Sequence, residues 1–226
     1  MQKFVLKLFA ICAILWLVGY LAILLRTIFW GREYYDFLNW NLFLAWVPAV
    51  LALLVYRLDH SKIHHRLATP FFFFLWLIFY PNAPYVITDF KHLIPRPPVP
   101  ISYDFLLIFS YSLLAILLGY ISLHLIHQTL GKYIKNKFIL WPLITLHFPV
   151  IAFGVYVGRY LRWNSWDIFT HPIGLLRELF GTVTNSYLYT PIMYIYITLF
   201  SLFYLAGYYA FHQTFVRLIP ETHLPK

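Results

Sequence analysis

The stretch Leu8-Phe-Ala-Ile-Cys-Ala-Ile-Leu-Trp-Leu-Val-Gly-Tyr-Leu-Ala-Ile-Leu-Leu25 decides the fold class. Its 18 residues carry no charge. A helix of that length is ~27 Å long, close to the ~30 Å hydrocarbon thickness of a bilayer. The apolar residues run on continuously instead of alternating, which selects a helix over a barrel strand. Helices and closed barrels are the two structures that can span, because hydrocarbon offers no water to backbone polar groups. Lys3 and Lys7 precede the run and Arg26 follows it. It lacks a small-x-small cleavage site, so it reads as an uncleaved first helix and not as a signal peptide.

The pattern repeats along the chain. Six spans are expected, at about residues 5–25, 37–56, 67–87, 105–126, 138–158 and 188–211. The expected fold is all-α: a polytopic transmembrane helical bundle forming a single integral membrane domain over residues 1–226. Composition agrees. Of 226 residues 62% are hydrophobic and 11% charged, against about 25% charged in soluble domains. A soluble globular enzyme and a disordered chain are both excluded. Cys12 is the single cysteine, which rules out a disulfide within the chain and a cysteine-based metal site.

The formal net charge is +9, but the basic residues flank the spans. That is the distribution of the positive-inside rule. No basic domain is available for phosphate contacts along a nucleic acid, so no nucleic-acid partner is expected. With the N-terminus in the cytoplasm, 10 Lys and Arg fall inside and 7 outside; both termini are therefore expected in the cytoplasm. Glu33, Asp36, Asp89, Asp104, Asp167 and Glu178 fall outside, while Asp59 and Glu221 fall inside. The outer face is expected to carry the specific polar chemistry.

Three stretches share that face. The first is Tyr80-Pro-Asn-Ala-Pro-Tyr-Val-Ile-Thr-Asp-Phe-Lys-His92. Pro81 and Pro84 lack backbone donors and should interrupt the third span. Irregular backbone at membrane depth needs protein or a wet cavity around it, and broken spans build transporter sites; a plain helix end with an interfacial turn fits as well. Asp89 and His92 are spaced i, i+3. The second stretch is Gly158-Arg-Tyr-Leu-Arg-Trp-Asn-Ser-Trp-Asp167. Arg159 and Arg162 can face one way and clamp a phosphate or carboxylate, or they can snorkel within an aromatic belt made by Trp163 and Trp166. Asp167 can pair with an arginine, orient one, or act as a base. The third stretch, Arg32-Glu-Tyr-Tyr-Asp-Phe-Leu-Asn-Trp-Asn41, offers Asp36 as a helix cap and brings Asn39 and Asn41 into a span, where an amide must find a partner. Ser102 is a further candidate cap, for the fourth helix.

The last outer loop contains Thr170-His-Pro-Ile-Gly-Leu-Leu-Arg-Glu-Leu-Phe-Gly181. Pro172 suits a first helical turn and Gly181 a helix end. Ile173, Leu176, Leu179 and Phe180 fall on one face, as in an interfacial amphipathic helix. On the opposite side of the membrane, His60, His64, His65, His124, His127 and His212 read as solvated juxtamembrane histidines, although some spacings allow metal chelation. His147 falls mid-span, either bonded to a neighbouring helix or functional.

The Tyr80–His92 and Gly158–Asp167 stretches, with the Asn41-Leu-Phe-Leu-Ala-Trp-Val-Pro48 opening of the second span, resemble a bacterial membrane family catalogued as domain of unknown function 1361. The resemblance runs from about residue 35 to 210. It implies a multipass protein of a bacterial cell (inner) membrane and implies no activity.

The residues point first to binding or modification of a lipid or lipid-linked anionic headgroup. Asn82, Arg159, Arg162 and Asn164 would bind it, and Asp89, His92 and Asp167 would handle protons or a metal. The alternatives are a non-catalytic membrane assembly partner and a small-solute carrier. Membrane lipid is the expected partner; cofactor, metal content and oligomeric state stay open.

Overall fold

The computed structural model describes residues 2–31, 34–60, 67–184 and 190–218. Arg32, Glu33, Lys62, His64, His65, Arg66 and Glu221 lie outside the described residues.

Six helical stretches are long and apolar enough to cross a membrane: Gln2–Trp30, Asp36–Asp59, Ala68–His92, Ile101–Tyr133, Lys137–Leu161 and Pro191–Phe215. They correspond one to one with the six expected spans. The protein is an all-α, multipass membrane protein. Its elements are α1 (Gln2–Trp30), α2 (Asp36–Asp59), α3 (Ala68–Phe79), α4 (Asn82–Tyr85), a 3₁₀ turn (Val86–His92), α5 (Ile101–Tyr133), α6 (Lys137–Tyr156), a π turn (Val157–Leu161), α7 (Asp167–Thr170), α8 (Pro172–Thr184) and α9 (Thr190–Leu218). Contacts group them into two units, Met1–Thr129 with Ala210–Lys226, and Leu130–Tyr209.

In the first unit α5 supplies the core. Leu118, Ile121 and Leu123 are fully buried. Lipid tails are as apolar as leucine, so helix association in a membrane rests on close packing and interhelical hydrogen bonds. The unit uses both. Asn39 Oδ1 on α2 accepts from Trp16 Nε1 on α1 at 3.1 Å and from Tyr111 Oη on α5 at 2.6 Å. Trp76 Nε1 on α3 donates to Ser122 Oγ at 2.7 Å, and Ser122 donates on to the Pro48 carbonyl at 3.0 Å. Tyr80 Oη reaches the Gly119 carbonyl at 3.1 Å. Gly19 permits the α1–α5 approach: a Cβ there would stand 2.7 Å from Tyr111 Cε2.

In the second unit α6 begins at a side-chain cap, Asn136 Oδ1 accepting from Phe138 N at 2.9 Å. Phe148 meets the rings of Tyr204 and Tyr208 at 5.8 and 5.9 Å. Tyr160 stacks on Tyr156 at 4.8 Å and meets Tyr196 edge-on at 5.4 Å. Tyr196, Tyr204 and Tyr208 of α9 thus pack against α6 and the π turn that follows it. His147 is half-buried within α6.

Three local expectations are corrected. The residue preceding α2 is Tyr35, with no side-chain cap, and Asp36 is the first helical residue. Ser102 lies inside α5, which starts at Ile101. Gly181 does not end α8, which runs on to Thr184; a glycine interior to a helix costs only ~1 kcal/mol.

Candidate functional site

The chain through Pro81 and Pro84 stays helical but changes type. Ala83 N reaches back three residues to the Tyr80 carbonyl at 3.1 Å. That slip leaves the Phe79 carbonyl without its usual donor, and Asn82 Nδ2 supplies one at 2.8 Å. Asn82 is therefore spent, at least in part, on closing α3. The following 3₁₀ turn has three residues per turn, so side chains three apart eclipse and Val86, Asp89 and His92 fall in one row. Val86 and Asp89 are buried, and His92 is half-buried with its ring 4.8 Å from that of Phe37. Asn41 Nδ2 on α2 donates to Asp89 Oδ2 at 2.8 Å. The expected partner of the Asn41 amide is thus the expected proton-handling carboxylate.

Beside this row lies a charged network that reasoning from the sequence missed. Arg26, toward the C-terminal end of α1, forms a two-pronged ion pair with Asp104 in the first turn of α5. Nε lies 2.8 Å from Oδ1 and Nη2 lies 3.2 Å from Oδ2, and both side chains are 1% exposed. Tyr35 Oη lies 3.2 Å from Asp104 Oδ2 and 3.3 Å from the His92 carbonyl. Burial, reinforced by the Asp104 carboxylate, pushes the Tyr35 phenol up to about 12, which keeps it a donor. Arg96 Nη1 donates to Tyr35 Oη and to the His92 carbonyl at 3.3 and 3.2 Å, and its guanidinium lies 3.4 Å from the centroid of the Tyr34 ring. One local signal existed: charges of opposite sign at the ends of two apolar runs placed on the same side of the membrane.

In the second unit the Gly158–Asp167 stretch abandons regular helical spacing. Val157–Leu161 forms the π turn, and Arg162 follows with φ 62° and ψ 29°. That is the left-handed region, strained for a residue with a side chain by ~1–3 kcal/mol. The i, i+3 argument for Arg159 and Arg162 sharing a helix face does not apply to this geometry. Arg162 is exposed, Arg159 half-buried. Among the described residues no carboxylate or carbonyl engages the Arg162 guanidinium.

Asp167 does not pair with either arginine. Its Oδ2 accepts from Asn164 N at 2.7 Å and from Asn164 Nδ2 at 3.3 Å; its Oδ1 accepts from Thr170 Oγ1 at 3.2 Å. The backbone donor from Asn164, assisted by Thr170, holds this carboxyl below its ordinary value. Asp167 is the clasp of the loop. Trp163 Nε1 donates to Glu178 Oε2 on α8 at 2.8 Å, and a Cβ on Gly174 would stand 3.3 Å from Trp163 Cη2. The indole thus fastens α8 to the loop. On α8, Ile173, Leu176 and Phe180 are 75%, 54% and 69% exposed: an apolar face left largely uncovered by the described residues.

The histidines expected on the inner side are not all solvated. His124 and His127 are buried in the first unit. His124 Nδ1 faces His212 Nδ1 at 3.2 Å, and the His127 and His212 rings stack 4.8 Å apart at 14°. Stacked rings do not aim their nitrogens at one point. Among the described residues no three His, Cys, Asp or Glu side chains are placed to hold a metal ion.

The family described as Protein of unknown function (DUF1361) matches residues 40–206. The chain belongs to this family. The match takes in both motif stretches and the opening of α2, the segments on which the resemblance rested. No curated protein and no solved structure matches the chain.

Proposed function

We propose that the protein binds an anionic lipid or lipid-linked headgroup at the outer surface of a bacterial inner membrane, with both termini in the cytoplasm. One observation carries the reading: Arg162 is an exposed cation on strained backbone, between a π turn and a loop clasped by Asp167. Strain of that kind persists where surrounding structure enforces it, and it clusters at ligand clamps; π turns cluster at functional sites. A guanidinium presents a planar fork suited to phosphate and carboxylate. Trp163 and Trp166 suit the headgroup layer. α8 is joined by short connections to a membrane span on each side, so its exposed apolar face supports an interfacial position.

Arg159, Arg162 and Asn164 are the proposed headgroup ligands in the second unit, with Asp167 holding their loop. Asn82 is the proposed ligand in the first unit. Proton handling is assigned to Asp89 and His92 in the first unit and to Asp167 in the second. A non-catalytic role is favoured by a separate observation: the Asn82 amide closes α3 and Asp89 is buried against Asn41, positions that serve architecture.

The test is lipid retention by native mass spectrometry of protein exchanged into phosphatidylglycerol and phosphatidylcholine. The wild type should prefer phosphatidylglycerol. Arg162→Ala should lose that preference while remaining folded. Loss of a charge-assisted hydrogen bond costs ~1.5–3 kcal/mol, or roughly 10- to 150-fold in affinity. Equal retention of both lipids by the wild type, or an unchanged preference in Arg162→Ala, would overturn the reading. A topology reporter that places residues 82–92 and 158–167 in the cytoplasm would do the same.

A further inference from the structure

A cavity of about 410 Å³ opens between α1 and α5 of the first unit. Leu15, Gly19 and Ala22 line it on α1; Tyr103, Ser110 and Leu117 line it on α5. It runs roughly 10 Å along α1 and roughly 21 Å along α5 at ~1.5 Å per residue. Gly19 lets the Tyr111 ring close against α1 as part of the cavity wall: a Cβ there would stand 2.7 Å from Tyr111 Cε2.

Its chemistry is restrictive. Four polar side chains belong to its wall, and each is already engaged. Trp16 Nε1 and Tyr111 Oη both donate to Asn39 Oδ1. Tyr103 Oη donates to the Ala22 carbonyl at 2.6 Å, and Ser110 Oγ to the Leu106 carbonyl at 2.7 Å. The groove therefore offers an occupant apolar and aromatic surface and no uncommitted donor. An occupant with acceptors along its length would leave them unsatisfied, at a cost of ~1–3 kcal/mol each.

Shape narrows the choice further. The groove is long for its volume. An α-helix with side chains is ~10 Å across, so a helical segment 21 Å long fills about 1,600 Å³, more than the groove's atom-free space of about 1070 Å³ with its open side included. A single hydrocarbon chain needs far less. One end of the groove lies at Tyr103, whose ring meets Trp30 edge-on at 5.4 Å and whose neighbour Asp104 pairs with Arg26. Aromatic residues beside charges mark the headgroup layer. The other end lies within the two spans, where lipid tails are the surrounding medium.

We infer that this groove is a binding site for one acyl chain of a bilayer phospholipid, entered from the interface at Tyr103 and running inward along α5. The site lies wholly in the first unit and does not depend on the headgroup reading, which rests on Arg162 in the second.

The test uses the full chain with phosphatidylcholine as probe, so that no anionic headgroup contributes. Protein stripped of lipid in detergent is given phosphatidylcholine and counted by native mass spectrometry. The wild type and Arg162→Ala should each retain one lipid. Ser110→Phe places a ring in the groove from an exposed position, and should retain roughly tenfold less, the effect of ~1.4 kcal/mol. Folding is checked by thermal unfolding followed by circular dichroism; if Ser110→Phe does not fold, Leu113→Phe on the same exposed side of α5 takes its place. Wild-type protein that retains no lipid, or a folded groove-filled variant that retains it unchanged, overturns the inference. So does a dimer that Ser110→Phe dissociates, or a co-purified polyisoprenyl adduct in place of the phospholipid.

Discussion

Asp104→Leu leaves the Arg26 guanidinium buried without its carboxylate. The pair is 1% exposed on both sides and two-pronged. A guanidinium cannot shed its charge. Removing one partner of a buried pair costs ~3–5 kcal/mol. The Tyr35 ring, 4.8 Å from the Arg26 guanidinium, makes its cation–π contact in both proteins and cancels in the difference, and the Tyr35 hydroxyl keeps the His92 carbonyl as a partner. The full loss of about 3–5 kcal/mol is expected. Replacing both members by apolar groups removes the desolvation cost along with the attraction and is often close to neutral. Arg26→Met with Asp104→Leu should therefore lie within about 1 kcal/mol of the wild type, a coupling of at least ~2 kcal/mol between the sites. The assay is reversible unfolding in mixed micelles of rising dodecyl sulfate fraction, followed by circular dichroism, for all four proteins of the cycle. Equal and additive losses, with the double variant as unstable as the sum of the singles, would refute the argument that the two charges hold each other in place.

Other expectations are simpler to check. Asn39→Leu orphans the Trp16 and Tyr111 donors and should lower the unfolding midpoint by an amount equivalent to ~1–3 kcal/mol, measured in the same assay. Arg162→Gly relieves the left-handed backbone and should be about 1 kcal/mol more stable than Arg162→Ala, while both lose the anionic-lipid preference. Asp167 has a depressed folded-state pKa, so the stability it lends the loop is complete above the ordinary carboxyl range and is lost as pH falls through the lower folded value. Hydrogen exchange at Asn164 N should accelerate, relative to its intrinsic rate, on acidification in the wild type and should be fast throughout in Asp167→Asn. A fluorophore on Ile173→Cys should be quenched by lipids brominated near the headgroup and not by aqueous iodide; the reverse pattern would remove α8 from the membrane surface.

The spans were legible because a long uncharged apolar run has one stable outcome in a bilayer. The helix α8 was legible from its apolar face, and its first residue from Pro172. What escaped the reading was non-local or depended on where helices stop. The Arg26–Asp104 pair joins residues 78 positions apart, and the one hint of it, opposite charges at the ends of two apolar runs, does not say which run meets which. Breaks were expected at Pro81 and Pro84, but a backbone that slips from four-residue to three-residue hydrogen bonding absorbs a proline without leaving helical geometry. The histidines were misread because the fourth span was ended at about 126, whereas α5 continues to Tyr133 and carries His124 and His127 inside the packed part of the unit. Arg162 and Asp167 were legible as chemistry; the π turn and the clasp that present them are tertiary outcomes with no distinct sequence period.

The shared acceptor Asn39 also bears on the order in which the chain is made. Trp16 precedes it by 23 residues and Tyr111 follows it by 72. A ribosome adding ~5–20 residues per second needs roughly 4–14 s to pass from Asn39 to Tyr111. During that interval α1 and α2 can enter the membrane and join through Trp16, with half of the Asn39 acceptor capacity still open. The nascent pair therefore carries a polar socket that only the arrival of α5 fills. A chain stalled or cut before residue 111 exposes that socket to the bilayer, which gives the cell a chemical mark by which an unfinished copy differs from a finished one.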